Sequence, residues 1–288
     1  MRREHNVMDG KVCMITGANS GIGRATTQGL ANLGATVVMV CRSRERGKEA
    51  LDEIRQKSGN EDIYLLVADL ASQAAIRSLV EDFRKEHSTL HVLINNAGII
   101  PRKRMLTVEG LETQFAVNHL APFLLTNLLV DVLKDSAPAR VVTVASDMHR
   151  GATIDFDDLQ ATQSYRPLRV YSQTKLANVL FTYELARKLE GTKVTANCLH
   201  PGVVATKLLA NAMGLPSPLK STTKLIGSGP EKGAKTSIYL ATSPEVEGIS
   251  GKYFVRQKPV ESSEISYDES LAGRLWKRSA ELTGLSEM

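Results

Sequence analysis

The segment 11–42, KVCMITGANSGIGRATTQGLANLGATVVMVCR, decides the architecture. It opens on a short apolar, β-branched run at 11–16 and turns through Thr16-Gly17-Ala18-Asn19-Ser20-Gly21-Ile22-Gly23. Apolar residues then recur at helical spacing (Ala25, Leu30, Ala31, Leu33) before a second apolar run at 36–41. Strand, glycine turn, helix and strand in that order predict a βαβ unit. The glycines are spaced G-x-x-x-G-x-G, where the general dinucleotide fingerprint is G-x-G-x-x-G, but the physics is shared. Glycines tighten the turn and let backbone approach a pyrophosphate, whose charge rests against free N–H groups at the helix start. On this basis Gly17, Asn19, Ser20, Gly21, Ile22 and Gly23 are candidate dinucleotide-binding residues. A plain strand-to-helix turn is the alternative.

Outward from this unit the alternation continues. Further apolar runs stand at 63–68, 91–95, 140–145, 193–199 and 252–255, nearly continuous as in strands buried on both faces. Helical spacing fills the intervals, as with Ile76, Leu79, Val80 and Phe83. The expectation is an α/β fold: residues 1–288 as one Rossmann-type domain, a doubly wound parallel sheet of seven strands with helices on both faces. The stretch at about 202–230 lacks clear periodicity and holds Gly214, Pro216, Pro218, Gly227 and Gly229. A loop that long is usually functional, and it is read as a segment covering an apolar substrate, with Leu208, Leu209 and Met213 as candidate substrate contacts. An amphipathic excursion packing on its own core is the alternative. Lys207, Lys220 and Lys224 among the leucines leave a membrane-surface contact open.

The nucleotide's identity is legible further along. An acid about 20 residues beyond the glycines would bind the ribose 2′-hydroxyl of NAD. Arg42 stands there, 19 residues past Gly23, with Arg46 one helical turn on. An arginine suits a 2′-phosphate, so NADP (NADPH) is expected over NAD, unless Arg42 merely faces solvent. Asp69, followed by Leu70, would accept from the adenine amino group or cap the next helix.

Composition sets the outer bounds. The 288 residues are 42% apolar and 23% charged, with a formal charge of +5. No run approaches the ~18 apolar residues of a membrane span, and Met1-Arg2-Arg3-Glu4-His5-Asn6 has no apolar signal core, so a cytoplasmic location is expected. Basic residues alternate with acidic ones, as at 42–46, which speaks against a nucleic-acid partner. Cys13, Cys41 and Cys198 are odd in number, far apart and set in apolar runs. They are read as buried thiols, with neither disulfide nor metal.

Asn95-Asn96-Ala97-Gly98 ends the fourth strand, Ser146 ends the fifth, and Tyr171-Ser172-Gln173-Thr174-Lys175 opens the following helix. Together with the glycine turn, this order resembles the short-chain dehydrogenase/reductase family from Lys11 to about Val255. The wording of 171–185, of 199–204 and of 250–254, and the 25-residue step from Ser146 to Tyr171, is most similar to its retinol dehydrogenase-like branch. The apolar anchor of that branch's membrane-bound members is not seen here, and retinoid chemistry is not carried over. The resemblance implies oxidoreduction of a carbonyl/alcohol pair by a nicotinamide cofactor. It also implies that Asn96, Ala97, Gly98, Pro201, Gly202, Val204 and Thr206 contact that cofactor, that Lys175 holds its ribose, and that Asn118 joins a proton relay.

The residues support that chemistry independently. Tyr171 and Lys175 are four apart on one helical face, where an ammonium would favour the phenolate and lower the tyrosine's pKa. Tyr171 would then exchange a proton with the substrate oxygen while Ser146 donates a hydrogen bond to it. An exposed i,i+4 pair, a turn serine and a helix-bending asparagine are the bland alternatives. His149 and His200 are read as structural. Two other functions stay open: a nucleotide-binding regulator without turnover, and a reductase of carbon–carbon double bonds. Leu176, Val179, Leu180 and Leu185 exceed what one sheet-facing stripe needs, so a homodimer or homotetramer built on that helix is expected.

Overall fold

The computed structural model describes residues 6–202 and 229–285. The expectations at Val204, Thr206, Leu208, Leu209 and Met213 therefore lie outside the described residues. In chain order the described elements are β1 (Val12–Thr16), α1 (Gly21–Asn32), β2 (Thr36–Cys41), α2 (Arg44–Ser58), β3 (Ile63–Val67), α3 (Gln73–Glu86) and β4 (Val92–Asn95). A π-helical turn (Ala116–Leu120) leads into α4 (Ala121–Leu128), followed by α5 (Val130–Asp135), β5 (Ala139–Val144) and α6 (Pro167–Lys188). The chain continues through β6 (Val194–His200), α7 (Pro230–Thr242), β7 (Tyr253–Val255), β8 (Lys258–Val260) and α8 (Glu269–Thr283).

The strands form one sheet in the order β3-β2-β1-β4-β5-β6-β7-β8, parallel from β3 to β7. Alternate residues of a strand feed opposite cores. On one face Met14, Val38 and Val40 pack with Ile76, Leu79, Val80 and Phe83 of α3. On the other, Cys13, Ile15, Val37 and Met39 pack with Leu30 of α1 and Ile54 of α2. Both faces are covered, which is why the strand runs read as continuously apolar.

The sheet has eight strands where seven are expected from the sequence. Arg256 and Gln257 take φ of 50° and 65° and return the chain antiparallel, so that Lys258 pairs with Val255. Paired positive φ values make the two-residue hairpin turn whose twist suits its strands, here without the usual Asn-Gly. The run is only three residues and contains Pro259, tolerated because the strand lies at the edge.

The apolar surplus on α6 has an internal explanation. Leu176, Val179, Leu180 and Leu185 are all fully buried within the chain. Leu176 and Leu180 pack with Ala272 and Leu275 of α8, and Trp276 of α8 stacks on Phe181 at 5.8 Å. The helix is sandwiched between sheet and α8, so these residues offer no surface for self-association. All three cysteines are buried free thiols, with burial pushing Cys13 and Cys198 up to about 12 and Cys41 to about 11. Among the described residues no helix is long and apolar enough to cross a membrane, and no group of ligands could hold a metal ion.

Candidate active site

The glycine turn joins β1 to α1 at the carboxyl edge of the sheet, where ligands of such sheets sit. Gly17 and Gly21 take φ of 67° and 54°, a region costly for side chains. Gly23 serves packing: a Cβ there would stand 2.3 Å from the Gly17 carbonyl oxygen and 2.5 Å from Asn96 Nδ2. The α2, α3 and α8 helices are capped by Ser43, Ser72 and Asp268. By contrast Ser20 makes no capping bond to α1, and no acid stands in its first turn. Among the described residues the leading N–H groups of α1 thus have no side-chain acceptor, and this donor set, beside a glycine-rich backbone, fits a pyrophosphate.

The end of β4 is stitched to this turn. Thr16 Oγ1 accepts from the backbone N–H of Asn96 and of Ala97, each at 3.0 Å, and Asn96 Nδ2 donates to Thr16 O at 2.8 Å. Asn96 therefore holds the turn in shape. Thr16, which sequence reading passes over, is the joint between the two motifs. At the end of β2, Arg42 and Arg46 are both exposed and make no ion pair among the described residues. Asp69 is also exposed; its carboxylate accepts from Ala71 N at 3.0 Å, and the cap of α3 is Ser72. Leu70 and Ala97 line a shallow crevice with Thr16, Val117 and Leu125.

Around Tyr171 four elements converge. Its hydroxyl lies in the electrostatic reach of Ser146, which follows β5. Lys175 Nζ lies 5.4 Å from the tyrosine ring centroid and donates to Val144 O at 2.7 Å. Asn118, in the middle of the π-helical turn, accepts from Ile99 N at 2.8 Å and donates to Ile99 O at 3.0 Å and to Thr174 Oγ1 at 3.2 Å. A Gly98 Cβ would sit 3.5 Å from Asn118 Oδ1 and 3.8 Å from Lys175 Nζ, so three separate motifs meet there. The helix irregularity at Asn118 is what turns its amide onto the β4 loop. One expectation is reversed: burial raises Tyr171 to about 12, against a lowering influence of Ser146, and lowers Lys175 to about 8.

His149 and His200 are structurally engaged. His149 bonds to Ser146 O and Ser263 N, and His200 to Asp147. Pro201 and Gly202 continue directly from β6 beside this cluster.

The sequence model described as short chain dehydrogenase matches residues 11–213. The chain belongs to that family. Retinol dehydrogenase 14 of Homo sapiens is 47% identical over 296 residues, covering 97% of this chain and 88% of the relative. Polyprenol dehydrogenase of Homo sapiens is 41% identical, covering 96% of this chain and 86% of the relative. A solved structure of an uncharacterised protein from Mycobacterium Paratuberculosis superposes with a TM-score of 0.79 at 33% identity, covering 96% of this chain and 95% of the other. This short-chain dehydrogenase lies in the retinol dehydrogenase-like branch and is an oxidoreductase of CH–OH groups. The family binds a nicotinamide dinucleotide.

Proposed function

We propose that this dehydrogenase interconverts a lipophilic aldehyde or ketone and its alcohol with NADP, using Tyr171 as proton donor and acceptor. The observation that carries the reading is the convergence of the Tyr171 hydroxyl, Ser146, Lys175 and Asn118 at the sheet edge that holds the glycine turn. Bound nicotinamide supplies or accepts the hydride. Tyr171, raised to about 12, carries its proton at neutral pH and gives it to the carbonyl oxygen during reduction. Ser146 donates a hydrogen bond as alkoxide charge develops. Lys175, at about 8, remains mostly an ammonium at pH 7 and stabilises the phenolate left behind. Asn118 holds the Ile99 loop against Thr174 and so fixes the floor of the site.

Arg42 and Arg46, exposed and without an ion pair among the described residues where an NAD-binding acid would stand, support a 2′-phosphate. Relatives named for retinol and polyprenol, both lipophilic alcohols, support an apolar substrate. Initial rates of NADPH and NADH oxidation with aldehydes of increasing chain length test the reading. It requires kcat/KM to rise with chain length and to favour NADPH. Turnover with NADH alone, or none on any carbonyl, overturns it.

A further inference from the structure

Ser146 depends on the turn that follows it, and that turn is gripped by two histidines whose hydrogen-bond partners leave each a single tautomer. Ser263 N is an obligate donor and lies 3.0 Å from His149 Nε2, so Nε2 accepts. Ser146 O is an obligate acceptor 2.7 Å from His149 Nδ1, so Nδ1 donates. His200 is the mirror case. Its Nδ1 accepts from Asp147 N at 3.3 Å, and its Nε2 faces Asp147 Oδ2 at 3.4 Å as donor.

We propose that His149 and His200 are positioning residues, a pair of neutral imidazoles of opposite tautomer that clamps the 146–149 turn and thereby aims the Ser146 hydroxyl at the reacting oxygen. The inference rests on the acid–base reading of Ser146 and Tyr171 given above. Ser146 O accepts from both the backbone N–H (3.0 Å) and the ring N–H of His149, while Ser146 Oγ accepts from Met148 N at 3.2 Å. The serine is therefore held at two of its own atoms, and its hydroxyl proton remains free for Tyr171 and substrate. His149 is itself fixed: its ring meets Tyr253 edge-on at 4.8 Å, and the Tyr253 hydroxyl donates to Asp147 Oδ1 at 2.9 Å. The groups facing the pair are Asp147, Arg150 and Tyr253, with Arg256 also acting on His200. Burial outweighs Asp147 and holds both histidines below their ordinary pKa, in keeping with neutral rings. A proton on His149 Nε2 would point a donor at the Ser263 N–H, and one on His200 Nδ1 a donor at the Asp147 N–H.

Long-range 15N–1H correlation spectra of the histidine-labelled full chain near pH 7.5 read the tautomers without turnover. The Nδ1–H form is expected for His149 and the Nε2–H form for His200; the same form for both rings overturns the clamp. Function is read by paired variants. His149→Asn places an amide donor where Nδ1 stands, whereas His149→Gln restores only the acceptor at the Nε2 position. His149→Gln should lose about tenfold more kcat than His149→Asn, with the cofactor KM alike in both. Equal loss, or loss that follows thermal stability, overturns the positioning role. Ser263 has φ of −68°, which proline can adopt, so against Ser263→Ala, which also lacks the hydroxyl, Ser263→Pro removes the N–H that sets the His149 tautomer. It should lower kcat about tenfold relative to Ser263→Ala, and it keeps the proposal open to refutation if a His149 variant does not fold. In a Ser146→Ala background the gap between His149→Asn and His149→Gln should close, and a gap that persists overturns the role. Wild-type rates in Ser146→Ala itself would overturn the acid–base reading, an outcome told apart from failure of the clamp by the tautomer spectra.

Discussion

The glycine turn after β1 and the cluster around Tyr171 lie at the same edge of one sheet but are made of different material. The turn is local and made of backbone: eight consecutive residues, two at positive φ, with an uncapped helix behind them. The Tyr171 cluster is distributed and made of side chains, drawing Asn118 from the π-helical turn, Ser146 from the end of β5, and Tyr171 and Lys175 from α6. Its supports reach still further, to Ser263 and to α8. A backbone site is fixed once its strand and helix pack. A side-chain site is only as well placed as the elements behind it, so remote substitutions should damage the second region and spare the first.

The sharpest separation comes from Tyr171→Phe. Losing one hydroxyl should lower kcat by about 10³-fold, at the scale of a positioned acid–base group. NADPH affinity, measured by fluorescence titration, should stay within about twofold because the glycine turn is untouched. Near-normal turnover would remove Tyr171 from the chemistry. Loss of NADPH binding would show that the two regions are not separable.

Next in size is Trp276→Ala, well away from the reacting groups. The indole is 6% exposed, stacks on Phe181 of α6 and meets Phe123 edge-on at 4.9 Å. Truncating it should cost about 3–5 kcal/mol in chemical denaturation. Under native conditions it should lower kcat more than it weakens NADPH binding, because α6 carries Tyr171 and Lys175 and loses its outer support. Equal loss of both would mean that α8 stabilises the fold without setting the site.

How far the sequence predicts these regions follows from the same contrast. The turn, the seven parallel strands and the spacing of Tyr171 to Lys175 are local patterns, written by glycine positions, β-branched runs and helical period. The supports are not local. Nothing in Ser279 or Trp276 announces that α8 will cover α6, so the buried leucines of α6 read as surplus. Strand β8 escapes a sequence reading because Pro259 and a turn without Asn-Gly are unfavourable signals that an edge position tolerates. The direction of the Tyr171 shift escapes it too, since charge proximity is legible from i,i+4 spacing, whereas burial of both partners is a tertiary property. The two histidines read as structural from the sequence, but their link to Ser146 needs Ser263, more than a hundred residues away.

A third measurement uses pH to probe the supports alone. His119 is fully buried between the π-helical turn and α8, with Nε2 2.8 Å from Ser279 Oγ, and burial holds it at about 4. In the unfolded chain it would titrate near 6.5, so between about pH 6.5 and 4 the unfolded state binds a proton that the native state refuses. Stability present above pH 6.5 is therefore lost as pH falls, by about 1.4 kcal/mol per unit from this one group. Urea midpoints at pH 7 and pH 5 should differ accordingly, and His119→Gln, which keeps an acceptor for Ser279, should flatten the difference. An undiminished difference in that variant would assign the acid sensitivity to other buried groups.

The smallest expected effect falls on the backbone-built region, where only specificity is at stake. Arg42 directly follows β2, is exposed and makes no ion pair among the described residues, so its replacement should leave stability within about 0.5 kcal/mol. Arg42→Asp sets a carboxylate where a 2′-phosphate would lie, repelling NADPH, while offering an acceptor to the free 2′-hydroxyl of NADH. The ratio of kcat/KM for NADPH over NADH should fall by about 10- to 100-fold, the scale of removing one charge-assisted hydrogen bond and adding one like-charge repulsion. The change should appear in KM, since Tyr171 and Lys175 are untouched and the nicotinamide end of the cofactor is the same. High salt should shrink it, because the interaction is solvent-exposed and screened. A ratio that does not move would place the 2′-phosphate away from Arg42, leaving Arg46 on the first turn of α2 as the residue to test next. A fall in kcat with both cofactors would mean instead that the β2 end helps to orient the nicotinamide, and the two regions would then be coupled through the cofactor itself.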